Sequence, residues 1–428
     1  MKELIAWKNS TNRKPLILRG ARQTGKTWIL KEFGAKEFPC VAYVRLEDNE
    51  AMKALFAGSL EPKRLLEGMA AYTGQAITPD TLLILDEIQA VPRALKALKY
   101  FFEELPEYHI VTAGSLLGVM LQSGVSFPVG KVDFLDLYPM TFGEFLLAGN
   151  HDILHKYIQE NDFDMAAVFS EELTDLLKQY YYVGGMPEAV QCFIDRKDYN
   201  EIRSIQRAIL DTYEGDFSKH TSKDIAERCR QVWESIPTQL AKENKKFVYG
   251  SVRKGSRGRD YSLALQFLIN SKLIFPVYRI SKPGIPLASY REPASFKLFF
   301  LDIGLLGTMV DLDVRTIIEG NRLFEEFKGA FVEQFVCQEL IAECKYQPYY
   351  WSAEKSSGEI DFIFQSKGQV FPVEVKSAEN LKSKSLAAFC TKYRLNTGIR
   401  LSLSGYRDQD WMKNIPLYAT GGLSKLLG

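Results

Sequence analysis

Short runs of consecutive apolar residues alternate with amphipathic stretches in the first third of the chain. Such runs are typical of strands buried on both faces of a parallel sheet, and the stretches between them carry apolar residues at helical spacing. This alternation predicts βαβ units, and therefore a parallel α/β domain that covers residues 1–150. The predicted strands are PLILRG (15–20), CVAYVRLED (40–48), TLLILDE (81–87), HIVTAGS (109–115) and KVDFLDLYPM (131–140).

The pattern changes three times in the rest of the chain. Residues 151–220 have helical spacing throughout, which predicts a helical lid. Residues 221–314 follow the order helix, short strand (KFVYGSV, 246–252), helix and two strands, which is typical of a winged helix. Residues 315–428 begin with a long apolar-periodic helix and continue with the strands PYYWSA, EIDFIFQ and VFPVEVKS, which predicts a further α/β domain.

Composition and charge restrict the class of protein. With 46% hydrophobic and 25% charged residues, the chain is neither disordered nor fibrous. Because 54 basic residues face 53 acidic ones, any surface that binds nucleic acid must be local. No apolar run reaches the roughly 18 residues of a membrane helix, and the first residues lack the apolar segment of a signal peptide. We therefore expect a cytoplasmic protein without a membrane partner.

A glycine-rich turn follows the first predicted strand and precedes a predicted helix. Its glycines allow backbone amides to surround phosphate oxygens, and the helix N-terminus favours negative charge. Lys26 is predicted to reach the β- and γ-phosphates of ATP, and the Thr27 hydroxyl to bind Mg²⁺. The alternative is an accidental glycine turn. The eight residues that fit the pattern G-x-x-x-x-G-K-[ST] are Gly20, Ala21, Arg22, Gln23, Thr24, Gly25, Lys26 and Thr27.

Two acids stand at the end of the predicted strand LLILDE (82–87). Because ligands of parallel sheets bind at the carboxyl ends of the strands, Asp86 is predicted to bind Mg²⁺ and Glu87 to polarise the attacking water. The alternative is that both acids merely cap the strand. Ser115, at the end of HIVTAGS, is predicted to sense the γ-phosphate or to position the water.

The motifs GARQTGKT, LLILDEIQ, TAGS and PMTFGEFL together resemble the prokaryotic AAA-type ATPases whose C-terminal half is an uncharacterised, nuclease-like domain. The resemblance continues through YVGGMPEAV, FKLFFLDIGLL and KGAFVEQFVCQEL to EIDFIF and PVEVKS, and covers nearly the whole chain. It implies an AAA-type P-loop fold with a helical lid, followed by a winged helix and a restriction-endonuclease-like α/β domain.

One position departs from this family. The chain has Gly130-Lys131 where the resemblance leads us to expect a glycine and an arginine before the last strand. A lysine lacks the planar fork of a guanidinium, so bidentate phosphate contact from Lys131 is not expected. Arg93 or an arginine of the lid is the alternative donor. Since AAA-type sites are often completed by a neighbouring subunit, the resemblance also implies a homo-oligomer.

A second group of chemically active residues lies in the last segment. Asp361, Glu374 and Lys376 form the pattern D-x(12)-E-x-K on two predicted strands, where alternation places Glu374 and Lys376 on one face. The two acids would share a divalent metal, Mg²⁺ or Mn²⁺, and Lys376 would orient the nucleophile. The pattern resembles the PD-(D/E)xK nuclease core, which implies that Glu333 on the preceding helix joins the metal ligands.

Basic residues cluster between the two candidate sites. Near a predicted recognition helix, they would neutralise DNA phosphates and make binding depend on salt. Arg253, Lys254, Arg257 and Arg259 are the predicted nucleic-acid contacts, within a stretch that also holds Lys242, Lys245 and Lys246. The alternative is a solvated loop.

Three functions are compatible with these features. The first is an enzyme in which ATP turnover repositions DNA-binding modules and regulates a metal-dependent cut. The second is a nucleotide-operated, DNA-binding switch whose nuclease-like domain is inactive. The third, an ATPase that remodels proteins, is less favoured because no aromatic loop for threading a substrate is evident.

Overall fold

The computed structural model forms two compact units. One unit contains residues 1–138 with 270–272, and the other contains residues 139–269 with 273–428. The residues described are 1–114, 130–242, 245–316, 325–353, 358–377 and 383–427, without the side chains of 325–328.

A parallel sheet forms the centre of the first unit. Its strands are β1 (Leu16–Arg19), β2 (Cys40–Arg45), β3 (Thr81–Asp86), β4 (His109–Gly114) and β5 (Asp133–Asp136). Among the described residues they lie in the order β2-β3-β4-β1-β5, and every pairing is parallel. The predicted parallel α/β fold is therefore confirmed. The helices are α1 (Lys2–Lys8), α2 (Lys26–Glu37), α3 (Glu50–Ala57), α4 (Pro62–Thr73) and α5 (Pro92–Glu104).

Helices cover both faces of this sheet, which is why its strands are continuous apolar runs. Leu83 and Leu85 of β3 pack into one core with residues of α5, while Leu82 and Ile84 pack into a second core with residues of α2. Each buried leucine contributes roughly 1.5–3 kcal/mol of transfer free energy. This packing fixes β3, and with it the acids that end the strand.

Helices dominate the first part of the second unit. They include α6 (Phe142–Ala148), α7 (Asp152–Glu160), α8 (Phe163–Val168), α9 (Ser170–Val183), α10 (Pro187–Arg196) and α11 (Tyr199–His220). The last five lie within residues 151–220, where the helical lid is predicted, whereas α6 lies before them. Later helices are α12 (Lys223–Leu240), α13 (Tyr249–Val252), α14 (Gly258–Asn270), α15 (Ile303–Met309), α16 (Glu325–Ala342), α17 (Lys384–Tyr393) and α18 (Leu423–Leu426). Within the described ranges, no helix is long and apolar enough to cross a membrane.

A mixed sheet runs through the second unit. Its strands are β6 (Ile274–Ile280), β7 (Arg291–Phe300), β8 (Tyr349–Ser352), β9 (Glu359–Ser366), β10 (Gln369–Val375), β11 (Gly398–Ser402), β12 (Arg407–Gln409) and β13 (Met412–Pro416). In the part of the chain that is described, their order is β12-β13-β11-β10-β9-β8-β6-β7. The hairpin of β6 and β7, which are the two strands predicted at the end of the winged-helix pattern, therefore extends the sheet formed by the C-terminal strands.

One predicted strand of the winged helix is wrong. The segment KFVYGSV makes a single strand-like bond, in which Phe247 N donates to Phe296 O at 2.7 Å, and Val248 N then donates to the Gln239 side chain at 2.7 Å. The chain next turns into α13, so no ladder of backbone bonds forms. The assignment of residues 221–314 as a winged helix stays a prediction.

A buried turn joins α9 to α10 in the second unit. The Asp302 carboxylate accepts hydrogen bonds from Gly185 N at 2.6 Å and Leu305 N at 3.0 Å. The Gly185 carbonyl accepts a bond from Met140 N at 2.7 Å. Burial raises the pKa of Asp302 to about 6. Gly185 thus connects two distant parts of the chain. Its amide binds the Asp302 carboxylate, and its carbonyl group binds the Met140 amide.

Two acids accept hydrogen bonds from the start of α6. One of them lies on α16 and the other lies immediately after it. Glu339 accepts a hydrogen bond from Phe142 N at 2.8 Å, and Glu343 accepts one from the Thr141 hydroxyl at 2.9 Å. Burial, with the nearby Glu343 carboxylate adding to it, raises the pKa of Glu339 to about 8. The folded protein therefore binds a proton at Glu339 at pH values where the unfolded chain releases it.

This shift predicts that stability falls as pH rises from the ordinary glutamate pKa towards about 8. Since the folded state holds the extra proton, the loss is up to about 1.4 kcal/mol per pH unit in that window. Glu339→Gln keeps an oxygen for Phe142 N and should lower the measured slope by the Glu339 contribution, leaving that of Asp302, whose pKa is also raised. Urea unfolding free energies measured across the window test this, with exposed Glu171→Gln as control. Equal slopes in wild type and Glu339→Gln would contradict it.

Candidate functional site

The glycine-rich turn lies between β1 and α2, as the P-loop pattern predicts. Gly25 caps α2 with a φ of 87°, a left-handed conformation that glycine adopts without strain. Gln23 also has a positive φ, of 62°. A Cβ atom at Gly20 would overlap the carbonyl oxygen of Leu137. Both glycines of the pattern are therefore required by the backbone of the loop itself.

Two carbonyl groups of this loop hold the Lys26 side chain in place. Its ammonium donates to Gly20 O at 3.0 Å and to Ala21 O at 2.6 Å, and the side chain is buried. Burial lowers the pKa of Lys26 to about 8, although the charges of Glu87 and Asp86 act in the opposite direction. An ammonium at this loop is the group that contacts the terminal phosphates in P-loop proteins.

Asp86 collects three donors at the carboxyl end of β3. Its Oδ2 atom accepts from the Thr27 hydroxyl at 2.8 Å and from the Tyr43 hydroxyl at 2.8 Å, and its Oδ1 atom accepts from Glu87 N at 3.0 Å. Hydroxyl and carboxylate oxygens are the ligands that Mg²⁺ prefers, so Thr27 and Asp86 fit this ion. Lys26, Thr27 and Asp86 thus belong to one site.

Tyr43 is a member of the site that the sequence did not predict. It lies on β2, beside β3, and opposite Ile84 in the register. Burial and the hydrogen bond to Asp86 raise the pKa of Tyr43, so the hydroxyl remains a donor at neutral pH. The position of Tyr43 in CVAYVRLED gives no sign of this contact, because it depends on which strand lies next to β3.

Glu87 follows Asp86 in a left-handed conformation, with a φ of 51°. The side chain accepts a hydrogen bond from Gln89, which orients the carboxylate. A non-glycine residue in this conformation stores backbone strain, which is common at active sites. The position predicted for Ser115 lies outside the described residues.

The two cations considered for transition-state contact bind other groups. Lys131 forms an ion pair with Glu103 at 3.0 Å. Arg93 donates to Phe56 O at 2.6 Å and to Gly58 O at 2.8 Å. Neither bonds to the loop, to Asp86 or to Glu87 in this structure.

Comparison with known proteins agrees with the fold that surrounds this site. Residues 12–146 match a family model described as an AAA domain. The parallel sheet and the loop between β1 and α2 agree with this match and support an AAA-type P-loop fold for the N-terminal region. Residues 174–316 and 328–419 match two domains of unknown function, DUF8612 and DUF4143.

Similar proteins extend over most of the chain. Uncharacterized proteins of Mycobacterium bovis and Mycobacterium tuberculosis are each 22% identical over 376 residues, which are 86% of this chain and 72% of theirs. A Walker-type ATPase of Pyrococcus abyssi, known as a solved structure, is 14% identical with a TM-score of 0.42, covering 72% of this chain and 95% of its own.

The acids of the second candidate site lie on neighbouring strands. Phe362 of β9 pairs with Val373 of β10, so one further residue places Asp361 opposite Glu374. Asp361 accepts a hydrogen bond from Val375 N at 2.8 Å. Glu374 is buried and forms an ion pair with Lys376 at 2.9 Å. Asp361, Glu374 and Lys376 thus lie at one end of β9 and β10.

Glu333 contacts two lysines instead of the other acids. Lys245 binds its carboxylate, and Lys297 lies 3.6 Å from it. Burial, with the Glu333 charge adding to it, raises the pKa of Asp361 to about 7. Among the described residues, no group of three or more His, Cys, Asp or Glu side chains lies close enough to hold a metal ion.

All four predicted DNA contacts are exposed. Arg253, Lys254, Arg257 and Arg259 are solvent-accessible residues just before or within the first turn of α14. Lys245 is the exception within the basic stretch, because its side chain is largely buried against Glu333. The exposed group therefore has the accessibility that contact with phosphates requires.

Proposed function

We propose that the protein is a Mg²⁺-dependent ATPase that binds DNA and uses ATP turnover to regulate that binding. The observation that carries the ATPase part is the hydrogen bond of 2.8 Å between Thr27 and Asp86, with Lys26 held at the adjoining loop. These are the groups that bind a nucleotide and its metal ion in P-loop proteins.

Each residue of this site has a distinct part in hydrolysis. Lys26 offsets the negative charge of the terminal phosphates, and Thr27 and Asp86 would hold Mg²⁺. Mg²⁺, when bound, supplies Lewis-acid stabilisation of the phosphate oxygens. Glu87, oriented by Gln89, accepts the proton of the attacking water. Tyr43 keeps the Asp86 carboxylate in place by donating to Oδ2.

The exposed cations near α14 support the DNA-binding part. Four of them lie within seven residues, at the start of a helix of 13 residues whose N-terminus also favours anions. Such a surface would neutralise DNA phosphates without recognising the base sequence. The affinity for DNA should therefore fall steeply as the salt concentration rises.

We expect reversal of Arg253, Lys254 and Arg257 to glutamate to abolish most DNA retention. Loss of three phosphate contacts should reduce the salt dependence, measured as the slope of log K against log salt, by about 3 for duplex DNA. Fluorescence anisotropy with labelled duplex and single-stranded DNA, over a KCl series, measures both quantities.

A matched control reverses three exposed basic residues of the first unit, Lys63, Arg64 and Lys96. It makes the same change in net charge without touching α14, so it should retain more DNA and a steeper salt dependence than the first variant. Equal affinity and slope for wild type and the Arg253, Lys254 and Arg257 variant would refute the DNA-binding surface.

For the C-terminal domain, the contacts support the alternative of an inactive nuclease-like domain over a metal-dependent nuclease. Glu333, one of the three acids predicted to bind the metal, is paired with Lys245 and Lys297, and among the described residues no group of three or more His, Cys, Asp or Glu side chains could hold a metal ion. The residues present do not fit a divalent ion there, so the proposed function includes no cleavage step.

A further inference from the structure

Buried charges from separate elements meet beside the predicted C-terminal metal site. Lys297 of β7 is only 1% exposed, and its ammonium lies 2.5 Å from Glu359 of β9 and 3.6 Å from Glu333 of α16. Lys245, from the segment before α13, binds the other side of the Glu333 carboxylate. Buried lysines are rare unless they are paired, so this arrangement requires an explanation.

The arrangement places a positive charge where a nuclease-like site would need a metal ion. Glu333 is the acid that the nuclease resemblance assigns to the metal ligands, and Asp361 lies two residues beyond Glu359 on β9. Lys297 is close enough to Asp361 for its charge to act on that carboxyl group. One ammonium thus faces acids from α16 and β9, as a bound cation would.

We propose that Lys297 is a resident cation that replaces the divalent metal of this site and ties β7, α16 and β9 together. This inference rests on the proposed function, in which the C-terminal domain is inactive as a nuclease. A divalent ion entering the site would be repelled by the ammonium groups of Lys297 and Lys245 at short range, where water screens the charges poorly. Of the predicted ligands, Glu333 already accepts a hydrogen bond from Lys245, and Lys297 forms ion pairs with Glu333 and Glu359.

Removal of the Lys297 charge should therefore create a metal site. Lys297→Met keeps the length and apolar stem of the side chain but removes the ammonium that both Glu333 and Glu359 contact, so these two carboxylates become free to bind one ion. Carboxylate oxygens are hard ligands suited to Mn²⁺ and Mg²⁺. The variant should bind Mn²⁺ where the parent does not, and Mn²⁺ should restore the thermal stability that the substitution removes.

The experiment uses the full chain in an Asp86→Asn background, which removes the carboxylate proposed to bind metal at the nucleotide site, where Thr27 offers only a hydroxyl. Mn²⁺ bound per chain is measured by electron paramagnetic resonance, and the melting temperature is measured with and without Mn²⁺. Lys297→Met should gain one bound Mn²⁺ and show a rise in melting temperature. Lys413→Met, which removes a lysine paired with the single acid Asp408, is the matched control and should gain neither.

Two outcomes would overturn the proposal. One is a folded Lys297→Met protein that binds no more Mn²⁺ than its parent. The other outcome is measured without any Lys297 variant, and it decides the question if Lys297→Met does not fold. In that outcome the parent protein binds one Mn²⁺, and either Asp361→Asn or Glu374→Gln abolishes this binding. Neither measurement involves DNA or ATP, so failure here is distinguishable from failure of the proposed ATPase or of its DNA-binding surface.

Discussion

Glu87→Gln should lower ATP turnover at least about a hundredfold while ATP binding persists. Glutamine keeps the size of the side chain and its contact with Gln89, but it cannot accept the proton of the attacking water. The loop, Lys26 and Asp86 are unchanged, so the nucleotide still has its binding groups. Steady-state phosphate release measures turnover, and titration with a fluorescent ATP analogue measures affinity.

The matched control for this prediction is Glu104→Gln, an exposed position at the end of α5. It should hydrolyse ATP at the wild-type rate. Wild-type turnover by Glu87→Gln would show that Glu87 is not the base. Loss of ATP binding together with turnover would instead show that Glu87 is needed to shape the site.

Gly185→Ala should lower the free energy of unfolding by more than about 3 kcal/mol, because the added methyl has no space. A Cβ atom there would lie 2.7 Å from Met140 N and closer still to the Met140 carbonyl oxygen. Both neighbours are backbone atoms of a hydrogen-bonded turn, so they cannot move aside without breaking the bond between Met140 and Gly185. Urea denaturation monitored by circular dichroism measures the loss.

Gly215→Ala provides the opposite case on α11. A Cβ atom at Gly215 meets nothing within 4 Å, and alanine in a helix interior is more favourable than glycine by roughly 0.5–1 kcal/mol. This variant should therefore be slightly more stable than wild type. Equal free energies of unfolding for Gly185→Ala and Gly215→Ala would show that the turn at Gly185 can accommodate a methyl group, contrary to this prediction.

The geometry of the proposed nucleotide site was largely predictable from sequence, because the residues that form it follow local patterns. The loop pattern specifies a turn, a helix N-terminus and a lysine within eight residues, and Asp86 is placed by the rule that parallel strands end at one edge. Tyr43 was not predictable, because its contact with Asp86 requires knowing that β2 lies next to β3.

The C-terminal site was only partly predictable from sequence. The spacing of Asp361, Glu374 and Lys376 indicated two adjacent strands, and β9 and β10 are paired. The lysines that bind Glu333 come from β7 and from the segment before α13, far away along the chain. Lys297 looks like any residue of an apolar strand, and Lys245 looks like part of a surface cluster. Only tertiary structure brings their charges to the acid.

We propose that the first unit hydrolyses ATP through its P-loop. The most direct test compares phosphate release from ATP by the full-length wild type and by Lys26→Ala, each with Mg²⁺ and with Mg²⁺ removed by chelation. We predict that wild type releases phosphate only when Mg²⁺ is present, and that Lys26→Ala releases none above background. Equal phosphate release by the two proteins in Mg²⁺ would contradict the account.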